Sequence, residues 1–362
     1  MPEIENSPQS SLHPKLKQLF DLAIERQATD IHLSSGHQPI LRVDGSLMPV
    51  AGEKILNHED VKTLAFSILS QQLQEKFTAY KDLDLSYAYE NKARFRISIY
   101  QQLGKVSAAF RLIPSRIRTL EELSLPLSLR AFTRMIQGFF LVVGPSGHGK
   151  SAALAAMIEE INVNRYDHIL TIEDPIEYLF EQKNCIIDQR EVGMDVQDFH
   201  RGLRAMFRED ADVVMVGEMR DPETISTAIT AAETGHLIFS TLHTNTAAQT
   251  IDRIIDTFPP HQQEQIKMQL ANTLLGVLSR RLIPKKGGGV INAVELMIAN
   301  SAIRNLIREG KAHQIDMVIE TGQEQGMISL NHSLADLVRR DLITYENAEI
   351  YSTNPSELRM MM

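Results

Sequence analysis

Apolar residues repeat with two periods along the chain, and the switch between them divides it. In KLKQLFDLAIERQ, Leu16, Leu19, Leu22 and Ala23 recur on one side at helical spacing, which predicts an amphipathic helix. TDIHLSSGHQPILRVDGSLMPV follows, with short Ile-, Leu- and Val-rich runs flanking Asp44–Gly45, a pair favoured in tight hairpin turns. NHEDVKTLAFSILSQQLQEKF returns to the helical period and predicts one or two helices opening at Asn57 or His58. ARFRISIYQQLGKVSAAFRLI reads as a second hairpin. Its alternation places Arg94, Arg96, Ser98 and Tyr100 on one face and Phe95, Ile97 and Ile99 on the other. After a polar start as far as about His13, these elements predict a small α+β domain over residues 1–113. PSRIRTLEELSLP, with a proline at each end, opens a linker over residues 114–135.

Over residues 136–362 the pattern changes. From Phe139 the continuous apolar runs FFLVV, HILTI, DVVMVG and HLIFSTL alternate with helical stretches such as SAALAAMIEEIN and ETISTAITAAE. Such runs separated by helices predict an α/β domain with a mostly parallel sheet covered on both faces. After Pro259–Pro260 the chain reads as mainly helical, interrupted by a strand or hairpin at GGGVINAVELMI. Within AIRNLIRE, the i,i+4 pairs Ala302/Leu306 and Ile303/Ile307 predict an amphipathic helix that can pack between subunits or onto a partner.

The 362 residues allow two or three domains with ample core. Lys and Arg number 37 against 46 Asp and Glu, a net charge of −9. Sequence-independent nucleic-acid binding draws its affinity from cationic contacts to phosphates, so this balance argues against it. The absence of Trp and an aromatic content of 6% argue against single-strand stacking as well. Cys185 is the only cysteine. It cannot form an internal disulfide or supply a four-cysteine zinc site, and a free cysteine is more often a small buried hydrophobe than a reactive thiol. The twelve histidines show no zinc spacing. MPEIENSPQS is acidic and polar, unlike a secretory signal, and no apolar run reaches the ~18 residues of a membrane span. The expectation is a cytoplasmic protein whose link to any membrane runs through a partner.

The chemistry concentrates in the second domain. Gly144, Pro145, Ser146, Gly147, His148, Gly149, Lys150 and Ser151 match G-x-x-x-x-G-K-[ST] between an apolar strand and a helix. Backbone N–H groups of such a loop converge on an anion, and the following helix adds its N-terminal dipole. Lys150 is placed to contact the β- and γ-phosphates of ATP, and the Ser151 hydroxyl to ligate Mg²⁺. The predicted nucleotide contacts run on through Ala152. In DVVMVGE, Glu218 sits at a strand's C-terminal end, where ligands of open α/β sheets bind. It can hold Mg²⁺ through water, or it is simply an acidic strand end. TIEDPIE gathers Glu173, Asp174 and Glu177 in one loop. A carboxylate there can polarise an attacking water, and a solvated acidic turn fits the same residues. His243, with Thr241, Thr244 and Asn245, either senses the γ-phosphate or caps the next helix.

The order GPSGHGKS, TIEDPIE, DVVMVGEMRD, AAETGHLIFSTLHTN resembles the Walker A, Asp, Walker B and His boxes of the type II/type IV secretion ATPase superfamily. It is most similar to the PilT-type retraction ATPases of type IV pili. ATDIHLSSGHQPILRVDGSL is similar to that family's N-terminal domain opening, and SAIRNLIREGK to its C-terminal retraction motif. The resemblance implies a PAS-like N-terminal domain joined to a RecA-like P-loop ATPase core, a homohexameric ring, and attachment at the inner membrane through a pilus platform protein. It further implies that Glu177 activates the water, that Glu218 organises Mg²⁺, and that Arg96 and Arg111 reach the nucleotide. His243 is then the His-box residue. Without the resemblance, Arg94, Arg96 and Arg111 read as a solvated strand face. The chain departs from the family at His148, where Ser is usual, and at Ala152–Ala153, where hydroxyl residues are common. These departures leave open an accessory retraction ATPase working beside a second one. A pilus assembly or type II secretion ATPase, a RecA-like DNA translocase and a nucleotide-dependent scaffold compete with the retraction motor.

Overall fold

The computed structural model describes residues 12–43, 45–90, 92–113 and 116–362. The polar start through Ser11, Asp44 of the expected turn, and Pro114 and Ser115 of the expected linker lie outside the described residues. The chain divides into two compact units, one reaching Arg116 and including Glu177–Leu179, the other comprising Ile117–Ile176 and Phe180–Met362.

The first unit runs α1 (Pro14–Glu25), β1 (Asp30–Leu33), β2 (Ile40–Val43), β3 (Ser46–Pro49), α2 (His58–Phe66), α3 (Gln71–Tyr80), β4 (Asp82–Tyr89), β5 (Ala93–Gln102) and β6 (Lys105–Ile113). Its strands form one antiparallel sheet in the order β3-β2-β1-β6-β5-β4. Helix α1 buries Leu16, Leu19, Phe20 and Ala23. Leu22, predicted on that face, is only partly buried, because Phe20 takes the central place. The Phe20 ring stacks on Phe95 at 4.1 Å and meets Phe110 edge-on at 5.5 Å, an arrangement that adds to the burial of the rings themselves. Asn57 opens α2 in a reciprocal capping box with Asp60, and Ser70 caps a separate α3. In β5, Phe95, Ile97 and Ile99 are buried as the alternation predicts.

The second unit contains α4 (Leu129–Thr133), β7 (Gly138–Val143), α5 (Lys150–Asn164), β8 (His168–Glu173), β9 (Ile186–Glu191), α6 (Phe199–Met206), β10 (Val213–Val216), α7 (Pro222–Glu233), β11 (Leu237–Leu242), α8 (Ala247–Asp256) and α9 (Pro260–Thr273). It continues with β12 (Leu274–Pro284), β13 (Val290–Ile298), α10 (Ser301–Arg308), α11 (Ile315–Thr321), α12 (Leu330–Arg339), α13 (Tyr345–Tyr351) and α14 (Pro355–Met361). The sheet order is β13-β12-β7-β11-β10-β8-β9. All neighbours are parallel except β12 and β13. Every residue of β7, β10 and β11 is buried, which is why these strands read as unbroken apolar runs.

Strand β12 differs from the expectation of mainly helical structure after Pro260. LLGVLSRRL carries no period-2 signal, and its strand state comes from pairing with β7 on one side and β13 on the other. Gly276 permits that approach. A Cβ there would lie 2.7 Å from the Met297 carbonyl oxygen and 3.1 Å from the Phe140 ring.

Candidate nucleotide site

The glycine-rich loop leaves the C-terminal end of β7, between β11 and β12 in the sheet. Gly149 caps α5 with φ 77°, the left-handed region, and provides no side-chain cap. The helix therefore begins at Lys150 with first-turn N–H groups that no capping side chain engages, the arrangement that receives an anion. Lys150 is 8% exposed. Its Nζ donates to the Gly144 carbonyl at 2.9 Å and the Pro145 carbonyl at 3.2 Å. Ser146 and Gly147 are exposed at the loop's tip, Ser151 is half-buried, and Ala152 is buried.

Three sequence-distant boxes meet beside Lys150. Its Nζ stands 3.4 Å from His243 Nδ1, and His243 Nε2 stands 3.4 Å from Glu218 Oε2. Glu218 also pairs with the Arg220 guanidinium. Hydroxyls set these positions. Ser240 donates to the Val216 carbonyl at 2.8 Å and Thr241 to the Gly217 carbonyl at 2.6 Å, joining the ends of β10 and β11. Ser279 of β12 donates to the Asn245 carbonyl at 2.7 Å, which ties down the loop after His243. The carboxylate of Glu218 and hydroxyl of Ser151 are hard oxygen donors, suited to Mg²⁺ that keeps part of its water shell.

The TIEDPIE loop separates into different roles. Glu173 is 6% exposed and accepts from the Thr171 hydroxyl at 2.7 Å and Gln189 Nε2 at 3.2 Å, so it is a structural carboxylate. Glu191, also buried, accepts the Ile176 N–H at 3.2 Å and holds the loop's following turn. Glu177 groups with the first unit, where its Oε1 lies 3.9 Å from Arg96 Nη1.

In the first unit, register builds a polar row across five strands. Arg42, Asp30, Arg111, Arg96 and Ser86 are successive cross-strand partners. Arg96 and Arg111 thus stand directly opposite one another, a like-charge pairing that is unfavourable by itself and is suited to an anion. Arg111 Nε donates to Asp30 Oδ1 at 2.9 Å. Burial pushes the Asp30 carboxyl up, but hydrogen bonds from Thr29 and Arg111 outweigh it and hold its pKa below the usual value. Asp30 therefore stays charged and offsets one of the two cations.

Several residues around the loop carry no motif that would single them out in the sequence. Arg280 of β12 reaches the loop from behind, and Asn292 of β13 holds its guanidinium. Glu295 of β13 accepts the Ala247 N–H at the start of α8. The adjacent arginines in SRRL are the one available signal, and they read equally well as a solvated face. His148 accepts the Leu282 N–H on Nδ1 at 2.9 Å. Burial, with Arg281, Lys150 and Arg280 nearby, lowers its pKa and keeps the ring neutral. Cys185 is buried, and burial pushes its thiol up, away from the reactive thiolate. Among the described residues, no group of three or more His, Cys, Asp or Glu is placed to hold a metal ion. No helix among them is long and apolar enough to cross a membrane.

The family described as type II/IV secretion system protein matches residues 5–345. The chain is 44% identical over 333 residues to the type IV pilus retractation ATPase PilT of Pseudomonas aeruginosa, covering 92% of this chain and 96% of the relative. It is 34% identical over 349 residues to the type IV pilus ATPase PilU of the same organism, covering 96% and 91%. The crystal structure of the pilus retraction motor PilT with bound ADP superposes with a TM-score of 0.89 at 43% identity, covering 95% of this chain and 98% of that one. The resemblance drawn from the four boxes and the α/β ATPase fold expected from it are both borne out. With most of its length matched in sequence and in structure, the chain belongs to the type II/IV secretion system protein family.

Proposed function

We propose that this chain is a motor ATPase that couples ATP hydrolysis to retraction of a type IV pilus. The observation that carries the reading is the convergence of Lys150, His243 and Glu218 at the ends of β7, β11 and β10, beside a loop whose helix opens on uncapped N–H groups. The loop from Gly144 to Ser151 and the first turn of α5 hold the phosphates, and Lys150 adds a buried positive charge. Ser151 and Glu218 would hold Mg²⁺, whose charge would offset that of the phosphates. Glu177 accepts the proton of the attacking water. Arg96 and Arg111 stabilise the charge that develops on the γ-phosphoryl oxygens. His243, between Lys150 and Glu218, ties the strand end to the state of the phosphates.

In this reading, residues 1–113 form the PAS-like domain, 114–135 the linker and 136–362 the RecA-like core. A homohexamer works at the cytoplasmic side of the inner membrane against a pilus platform protein. The higher identity to the retraction ATPase than to PilU favours the main motor over an accessory one. Lys150→Ala tests the site. It is expected to abolish ATP turnover and to leave cells hyperpiliated; near-normal turnover in that variant refutes the reading.

A further inference from the structure

Strand β12 meets the phosphate loop at three points. The Arg280 side chain, 2% exposed, lies under the loop. Its Nη1 donates to the Gly149 carbonyl, and its Nε donates to Asn292 Oδ1 at 2.5 Å. Asn292 in turn donates from Nδ2 to the Leu123 carbonyl, so the guanidinium is itself held in place. Two residues along the strand, the Leu282 N–H donates to His148 Nδ1 at 2.9 Å. At the loop's start, the Gly144 α-carbon lies so close to the Arg280 carbonyl oxygen that a Cβ would collide with it. A Cβ at Gly149 would come within 2.9 Å of the guanidinium.

These contacts answer a physical need. A loop containing glycines at positive φ is permissive, and freezing it on binding costs conformational entropy. Its internal backbone bond, His148 N–H to the Pro145 carbonyl, is long at 3.4 Å. The three contacts from β12 grip both ends of the loop. The Gly149 carbonyl also accepts the Ala153 N–H of α5 at 3.2 Å, so Arg280 acts on the first turn of that helix too. The Leu282 N–H requires an acceptor at His148 Nδ1, which places the ring proton on Nε2.

We propose that Arg280 and His148 are positioning residues, a clamp through which β12 holds the phosphate loop in its nucleotide-receiving shape. Nucleotide affinity then depends on a strand that lies outside the loop motif. The inference rests on reading this loop as the ATP site.

The test uses the full chain with ATP turnover and ADP binding as readouts. His148→Ala is expected to raise both the KM for ATP and the Kd for ADP about five- to tenfold, the scale of one lost hydrogen bond, and to change kcat less. His148→Asn places an amide oxygen near the position of Nδ1 and is expected to recover most of the loss. Arg280→Lys keeps the charge but loses the fork and is expected to weaken ADP binding similarly. The double variant is expected to lose less than the product of the single losses, because the two act on one loop. A merely structural role would lower kcat with the folded fraction and leave KM alone. Wild-type KM and Kd in His148→Ala, or an Asn variant as weak as the Ala variant, overturns the clamp. If Arg280→Lys does not fold, the His148 pair decides. A wild-type protein that binds no ADP overturns the site reading itself, whereas wild-type binding with an unaffected His148→Ala overturns the clamp alone.

Discussion

Glu295 gives a prediction whose size follows from the structure. It lies on β13, 6% exposed, with Oε1 accepting the Ala247 N–H at 2.7 Å where α8 begins. Burial is the main influence on its carboxyl. The Ala247 N–H and Arg281 oppose it and Asp316 adds to it, and the pKa is pushed up to about 7 from 4.5. The folded protein thus keeps a proton that the unfolded chain releases near pH 4.5. Stability from this group is fully present below about pH 4.5, declines as pH rises, and is gone above about pH 7. A gap of about 2.5 pH units, at roughly 1.4 kcal/mol each, is worth on the order of 3 kcal/mol. Glu295→Gln keeps an oxygen for the Ala247 N–H and removes the titration. Urea unfolding of both proteins between pH 5 and pH 8 isolates the effect, because Asp316, Asp252 and Glu320, whose pKa values are also raised by burial, titrate in both. The variant is expected to gain about 3 kcal/mol on wild type across that range, or roughly 6–12 °C in melting temperature. Parallel stability curves for the two proteins would refute the reasoning.

Arg96→Ala and Arg111→Ala are expected to lower kcat by roughly tenfold or more while changing ADP affinity little, because contacts made to transition-state charge appear in kcat; an equal loss of ADP affinity assigns them to ground-state binding instead. Glu177→Gln is expected to reduce turnover at least about 100-fold with ADP binding retained, and unchanged turnover favours a nucleotide-dependent scaffold. Arg304 donates to the carbonyls of Ala271 at 2.5 Å, Asn272 at 2.7 Å and Leu274 at 3.0 Å, tying α10 to the end of α9. Arg304→Ala leaves those acceptors without it and is expected to destabilise the second unit by about 2–3 kcal/mol; a melting temperature within 1–2 °C, roughly, of wild type counts against that role.

The amino-acid sequence by itself determined whatever short-range pattern controls. The continuous runs of β7, β10 and β11 mark strands buried on both faces. The alternation of Phe95, Ile97 and Ile99 marks a half-buried one, and the segment from Gly144 to Ser151 carries its loop chemistry in eight consecutive residues. In the AIRNLIRE stretch, spacing correctly put Ile303 and Ile307 on a buried face, but only packing shows that Arg304 anchors the helix. The tertiary structure alone decided the identity of β12, because a strand with no period of its own is made by its neighbours. It alone separated Glu173, buried and hydrogen-bonded, from Glu177 in the same acidic loop. Sheet register put Arg96 opposite Arg111 and Asp30 beside them. Strand order brought Arg280 to Gly149 across 131 positions of chain. The physical reason is that periodicity and turn chemistry are local properties, whereas register, strand adjacency and burial of a single carboxylate depend on which distant segments pack together.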